Sequence, residues 1–432
     1  MHQSASAPDA CDVAIIGAGL AGLSCAVRLC ETPGASKPTV RLLEATDRVG
    51  GRVRTDHIDG FTLDHGFQVL LTAYPACREL LDYDGLNLQS FDPGALVRQN
   101  ESFSLLSDPW RRPLEIPSTA FNPVGSISDK LRIAGLRHAS KRGSLDELYH
   151  RPQTTTVQRL QADGFSKRII DQFFRPFLGG VFLDESLRVP SRMLEFVFRM
   201  FSEADVAIPA AGMEAIPKQL AHRLPGEAIE LNRSVSAIEA DGVRLTDGRK
   251  LLAKTVVVAT ESGAAARLTE LSSLATDWFG TTTVYYAAAK APNHHKRLIL
   301  RGDDNGPVQT AAVMTNIASK YAPAGQHLIS VSTKLSHHDD IDKLDHSLRQ
   351  TLTHWFGESV ASWRRIQVYH VPYGLPQLSL DPVERSVRLR VDSPHPHLFV
   401  CGDHRETPSI QGAMNSGLRA AAEILTCETP SH

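Results

Sequence analysis

Apolar residues gather along this chain in short unbroken runs set between polar, glycine- and proline-rich stretches. Val13-Ala14-Ile15-Ile16 is the first run, and Val40-Arg41-Leu42-Leu43, Val256-Val257-Val258 and Leu398-Phe399-Val400 repeat it. Runs this short and this apolar predict strands buried on both faces of a parallel sheet. Between the first two, Leu20 to about Cys30 carries a helical pattern, and Thr32 to Pro38 reads as a loop, so Asp12 to Glu44 predicts a βαβ unit. Glu230 to Ile238 alternates like a strand, and Val243-Arg244-Leu245 with Asp247-Gly248 adds a hairpin.

Elsewhere the pattern changes. From Ala73 to about Ala211, Pro93, Pro109, Pro113, Pro117 and Pro123 predict loops and short elements, and Ser128 to Leu148 predicts a basic, solvent-facing helix. Thr281 to Ala287 and His327 to Ser332 predict strands, and Asp342 to Phe356 a helix. Together these give an α/β fold: a Rossmann-type dinucleotide domain with an inserted α+β domain.

The turn after the first strand carries the first chemistry. In Gly17-Ala18-Gly19-Leu20-Ala21-Gly22, Gly17 permits a tight exit from the strand, Gly19 admits a pyrophosphate against bare backbone, and Gly22 lets the helix pack close. The N–H groups and positive dipole end of that helix favour phosphate. Glu44 closes the second strand, 22 residues beyond Gly22, where a carboxylate accepts hydrogen bonds from adenosine ribose hydroxyls. Glu44-Ala45 is followed by Arg48, Gly50, Gly51 and Arg52. Most nicotinamide domains run on into another helix here. An adjacent glycine pair between arginines suits a flat cofactor laid on backbone, with Arg48 or Arg52 neutralising pyrophosphate.

Bulk properties narrow the field. A formal net charge of −2, with scattered basic residues, argues against nucleic acid as a partner. The 432 residues provide for two or three domains' worth of core. Six cysteines, none in a C-x-x-C pair, read as reduced and mostly buried thiols, which predicts a cytoplasmic setting. Neither an apolar signal core nor a membrane-spanning run is evident, which leaves peripheral membrane contact open. His337-His338-Asp339-Asp340 is too compact to converge on one ion, so no metal is expected.

The residues above, with Gly402-Asp403 and the stretch Thr407 to Ala420, resemble the FAD-dependent amine oxidase superfamily, which includes monoamine and polyamine oxidases, protoporphyrinogen oxidase and phytoene desaturases. Ile208 to Pro217 also resembles its Pro-x-Gly-Gly-Met segment, with Ala211 replacing one glycine. The resemblance implies an FAD-binding domain made of residues 1–73, 212–261 and 389–432, and a substrate domain of 74–211 and 262–388. It places Gly66, Phe67 and Gln68 beside the isoalloxazine ring, Val235 at the adenine, and Gly402-Asp403 at the ribityl and pyrophosphate. Gln411, Gly412 and Ala413 open a helix whose positive end faces the flavin N1–C2=O edge.

The same resemblance implies hydride transfer from a substrate C–H to flavin N5, with oxygen or a quinone as final acceptor. No catalytic side chain is assigned. His65 reads as a hydrogen-bonded structural histidine rather than a proton carrier, since the sequence offers it no partner. Two amine-oxidase features are missing: alignment from Gly280 puts Val284 where many relatives have a lysine, and Ser409 stands where many have an aromatic cage residue. No cysteine lies between 402 and 426, so the FAD is expected to be noncovalent. Eight of the 16 phenylalanines fall between 165 and 201, enough to line a tunnel or to make ordinary core. These departures favour an uncharged, lipophilic substrate. An amine oxidase forming an imine is the alternative, and a non-catalytic flavoprotein or redox sensor a second.

Overall fold

A computed structural model describes residues 9–427 apart from 33–36, 100, 116–121, 336–339, 382–384, 387 and 389–394. His337, His338 and Asp339 therefore lie outside the described residues, as does most of the Thr32–Pro38 loop.

The predicted parallel strands come together in one sheet. Its path runs 229–230, 40–43, 9–16, 250–258, 242–245, 235–239, and 398–400 adds to 250–258. Val13–Ile16 pairs in parallel with both Val40–Leu43 and Thr255–Val258, and Val256–Val258 pairs in parallel with Leu398–Val400. Val13, Ala14, Ile15, Val256, Val257 and Val258 are fully buried, which is why these strands are apolar throughout rather than alternating. Three distant pieces of chain thus share one sheet. The first helix spans Leu20–Glu31 and the last Ile410–Cys427, and the two pack on each other.

A second seven-stranded sheet runs in the order 364–376, 278–288, 327–334, 310–313, 298–300, 94–99, 102–107. One face carries Val284, Tyr286, Ile329 and Val331 and packs on Leu344, Leu348, Leu352 and Trp355 of helix Ile341–Phe356. The other face, through Tyr285, Leu328 and Tyr369, joins the cluster that includes the first helix.

Two expectations need correction. The proline-punctuated stretch is not merely loops: Gly94–Gln99 and Ser102–Ser107 form a hairpin on the edge of the second sheet. The prolines stand just outside it, at 93 and 109, and bound the strands rather than breaking them. The basic stretch is two helices, Ile127–Ser140 and Glu147–His150. Its first helix is only partly a solvated face, because Arg137 pairs with Asp108 at 2.6 Å and lies over the Trp110 ring.

A buried carboxylate ties the layers. Asp64 ends strand Phe61–Asp64 and is 1% exposed. It accepts hydrogen bonds from Thr55 Oγ1 at 2.6 Å, Met213 N–H at 2.8 Å and Tyr321 O–H at 3.1 Å. Its backbone carbonyl accepts from Tyr285 O–H at 3.0 Å. Burial pushes its pKa up, against the pull of those hydrogen bonds. Removing the carboxylate strands three buried donors, so Asp64→Ala is expected to lower unfolding free energy by roughly 2–4 kcal/mol. Asp64→Asn, which keeps one acceptor oxygen, should lose less in denaturant titrations.

Candidate active site

The glycine turn is built by contact. Gly17 has φ +105°, and a methyl there would lie 2.9 Å from the Ala259 carbonyl. A methyl on Gly22 would sit 2.0 Å from the Gly17 carbonyl oxygen, so the helix packs hard on the turn. Gly19 differs. It precedes the helix with φ −73°, and a methyl on it meets no atom within 4 Å. Gly51, in turn, rests against Gly19: its methyl would be 3.3 Å from Gly19 Cα, and Gly50 N–H donates to Ala18 C=O at 2.8 Å. The two glycine-rich segments are therefore adjacent, with bare backbone facing open space at Gly19. Leu20 and Ala21 are buried in the first turn of the helix.

Glu44 lies beside this turn and is largely buried. Its Oε2 accepts from Ala18 N–H at 2.8 Å, and its Oε1 from Thr46 N–H at 2.9 Å and Thr46 Oγ1 at 2.8 Å. Protein donors orient the carboxylate, and Oε2 keeps acceptor capacity for a further donor. Ala45 is exposed next to it. The segment carrying Val235 approaches the same edge: Arg233 N–H donates to the Glu44 carbonyl at 2.7 Å, and Val235 pairs with Leu245.

The structure separates the two arginines that the sequence left equivalent. Arg48 is committed to protein carboxylates, 3.0 Å from Asp56 and 3.9 Å from Glu214. Arg52 reaches across the fold to Asp403 at 2.6 Å, donates to the Gly374 carbonyl at 2.9 Å and lies over the Trp278 ring. The opening and closing motifs thus meet at Arg52 and Asp403.

Gly66 is buried with φ +93°, and a methyl there would be 3.6 Å from Val371 of the second sheet. Gln68 Nε2 donates to the carbonyls of Arg52 and His65, while its Oε1 is buried with no partner. Phe67 packs edge-on to Phe91 with ring centroids 6.1 Å apart, so it contributes to a hydrophobic wall. His65 has the partners its sequence concealed: Nε2 lies 2.8 Å from Asp56 Oδ2, and the ring stacks on Tyr369 at 4.4 Å. Burial raises the Asp56 carboxyl, but hydrogen bonds from His65, Tyr369 and Arg48 outweigh it and pull it down to about 2.

Val284 faces away from all of this, into the cluster under helix Ile341–Phe356. The residue on the opposite face, toward His65 and Tyr369, is Thr283, whose Oγ1 is buried without a partner. Ser409 is a helix cap: its Oγ accepts from Gly412 N–H at 3.0 Å and its carbonyl from Ala413 N–H. Gln411 Oε1 accepts from Ala76 N–H at 2.9 Å, tying the start of the last helix to helix Pro75–Leu80.

Sequence reasoning passed over His404-Arg405-Glu406. All three are buried. The His404 ring lies over Gly402, and neither ring nitrogen has a partner among the described residues. Burial pushes this imidazole down to about 4, with Asp403 pulling the other way. The signal was three consecutive charged or titratable residues directly after a Gly-Asp turn. Among the described residues, no cluster of ligating side chains suits a metal ion.

Residues 20–425 match the family of flavin-containing amine oxidoreductases. The chain belongs to that family. It is an FAD-dependent oxidoreductase. Coproporphyrinogen III oxidase of Mycobacterium tuberculosis is 28% identical over 181 residues, 41% of this chain and 38% of that protein. The Propionibacterium freudenreichii enzyme of the same name is 27% identical over 330 residues, 61% and 60% of the two chains. The matches thus span about two fifths to three fifths of these curated relatives. The crystal structure of an oxidoreductase from Methanosarcina mazei superposes with a TM-score of 0.74 at 18% identity, covering 95% of this chain and all of that one. At that identity the likeness shows the fold alone.

The residues present fit FAD. Space opens over bare backbone at Gly19, and Gln68 Oε1, Thr283 Oγ1 and both His404 nitrogens are buried polar atoms without protein partners. Because a side chain at 19 meets only that space, Gly19→Val is expected to cut flavin content more than tenfold while leaving the melting temperature of the flavin-stripped chain within about 2 °C. Visible absorbance per polypeptide and calorimetry read the two effects separately.

The buried imidazole gives a pH dependence. His404 is neutral in the folded chain until about pH 4, whereas an unfolded histidine takes its proton near 6.5. Unfolding therefore gains protons, and stability is lost, as pH falls from about 6.5 to 4. His404→Gln is expected to remove on the order of 2–3 kcal/mol of that loss, seen as a flatter plot of unfolding free energy against pH.

Proposed function

We propose that this chain oxidises a small molecule with a large apolar body by removing hydride from one of its C–H bonds, in preference to an amine. FAD, when bound, supplies the acceptor at its N5. One observation carries the substrate reading. An apolar crevice is bounded by Phe182, Val189, Met193, Phe279, Leu375 and Leu378, with Pro408 at its edge. Leu375 follows Gly374, whose carbonyl accepts from Arg52 at 2.9 Å. No ionisable side chain lines it among the described residues. Walls of this composition suit exclusion of water around an apolar group.

The chain's own residues divide the remaining work. The Gly17–Gly22 turn and Arg52 would hold pyrophosphate, Glu44 the ribose and Val235 the adenine edge. Gly66, Gln68 and Thr283 would flank the isoalloxazine, with Gly402, Asp403 and the Gln411–Ala413 helix start closing the far side. Residues 1–73, 212–261 and 389–432 would form the FAD-binding domain, and 74–211 with 262–388 the substrate domain. The cofactor would be held noncovalently, with oxygen or a quinone as final acceptor.

Support against the amine comes from Ser409, spent as a helix cap, and Val284, turned behind its sheet. The M. tuberculosis and P. freudenreichii relatives are also named for a substrate other than a simple amine. The test is anaerobic loss of the flavin's visible colour with a panel of donors. Polyene or macrocyclic donors should bleach it and alkyl- or polyamines should not. Val189→Trp, which fills the crevice, should lower kcat/KM at least tenfold. Rapid bleaching by an amine, unaffected by that substitution, would reverse the assignment.

A further inference from the structure

Helix Ser191–Glu203 starts beside the crevice, between Pro190 and Met193, and its second residue is Arg192. The side chain is 4% exposed. Its Nη2 donates to the Ser379 carbonyl at 3.1 Å, next to the crevice residue Leu378. Its Nε and Nη1, which carry one and two N–H donors, have no acceptor among the described residues.

Among the described residues, no carboxylate pairs with it. Glu195, one helical turn on, is claimed by Arg151 and by Arg159 at 2.7 Å. Glu406 is claimed by Arg385 at 2.6 Å and Arg419 at 2.7 Å. Tyr149, the remaining electrostatic neighbour, donates to Glu406. A cation in the first turn of a helix also sits at the positive end of its dipole. Burial accordingly pushes the guanidinium's pKa down. A buried, unpaired cation at the unfavourable end of a helix is costly on every count of folding.

We propose that Arg192 binds a carboxylate carried by the otherwise apolar substrate. This rests on the crevice being the substrate site. Three unused N–H donors point to an oxyanion acceptor, since charge-assisted bonds to oxyanions are the strong ones for arginine. One guanidinium balances a monoanion, which favours carboxylate over phosphate.

The FAD-loaded chain can be titrated with dodecanoate, methyl dodecanoate and dodecyl phosphate, reading perturbation of the bound flavin spectrum. Dodecanoate should bind at least tenfold tighter than its ester. Arg192→Gln should weaken dodecanoate by roughly 10- to 100-fold and leave the ester unchanged. Arg192→Lys should recover part of the loss. If the Gln variant does not accumulate folded, Arg192→Met, which keeps the volume, takes its place. Acid and ester binding alike, equal losses for both in the variant, or a preference for dodecyl phosphate would each overturn the proposal. Val189→Trp separates the two readings. If it spares both probes while Arg192→Gln still selects against the acid, the crevice assignment fails and the anion site stands. If neither probe binds the unaltered protein, both fall together.

Discussion

Close approach of bare backbone holds this fold together. Gly22 lies on the Gly17 carbonyl, Gly417 on the Ala21 carbonyl and Gly51 on Gly19, at distances that leave no room for a methyl at the first two. Through these contacts the first helix, its turn, the arginine–glycine segment and the last helix become one seam. Interiors packed at crystal density do not absorb even one methyl freely, so each glycine is a constraint on three segments at once. The open side of Gly19 is the exception within the seam: a methyl there meets nothing within 4 Å.

Charge is distributed around that seam with little slack. Arg48, Asp56, His65 and Tyr369 form a closed network that fixes the loop before Gly66 against the second sheet. Asp64 fastens the same hairpin to Met213, Tyr321 and Tyr285, so the hairpin is tied to the second sheet by paired polar groups. Arg52 is the one of the two candidate arginines placed between the opening and closing motifs. Its link to Asp403 is worth more as a positioning device than as net stability, because Arg52 stays about a third exposed.

The parallel sheet was legible because burial on both faces forces unbroken apolar runs, and the glycine spacing could be read because backbone contact forbids a Cβ. The second sheet was read only in part. Thr281 to Ala287 and His327 to Ser332 announced themselves, but Leu298–Leu300 and Thr310–Val313 are too short to carry a period. Gly94–Gln99 was hidden by its flanking prolines. At the site, spacing located segments but not side-chain direction. Val284 and Thr283 are adjacent in sequence and face opposite sides of a strand, so an alignment counted from Gly280 could not decide which one shares the face of Tyr369. Arg48 and Arg52 differ only in which carboxylate lies in reach, a property of the folded chain. His65 gained its role from Asp56, a residue nine positions back, which two paired strands bring alongside.

Buried polar atoms without partners are where the chain departs from its own rules. The networks around Asp64, Asp56 and Glu406 pair their buried polar groups closely. Of the described residues, Gln68, Thr283, His404 and Arg192 are among those with buried polar atoms that no protein group satisfies. Each such atom costs about 1–3 kcal/mol unless something satisfies it. Sites that break local consistency in an otherwise consistent fold are the ones under functional demand. The first three lie where a polar cofactor would complete them. Arg192 lies beyond those residues, beside walls that offer only carbon, so what completes it must arrive with the substrate.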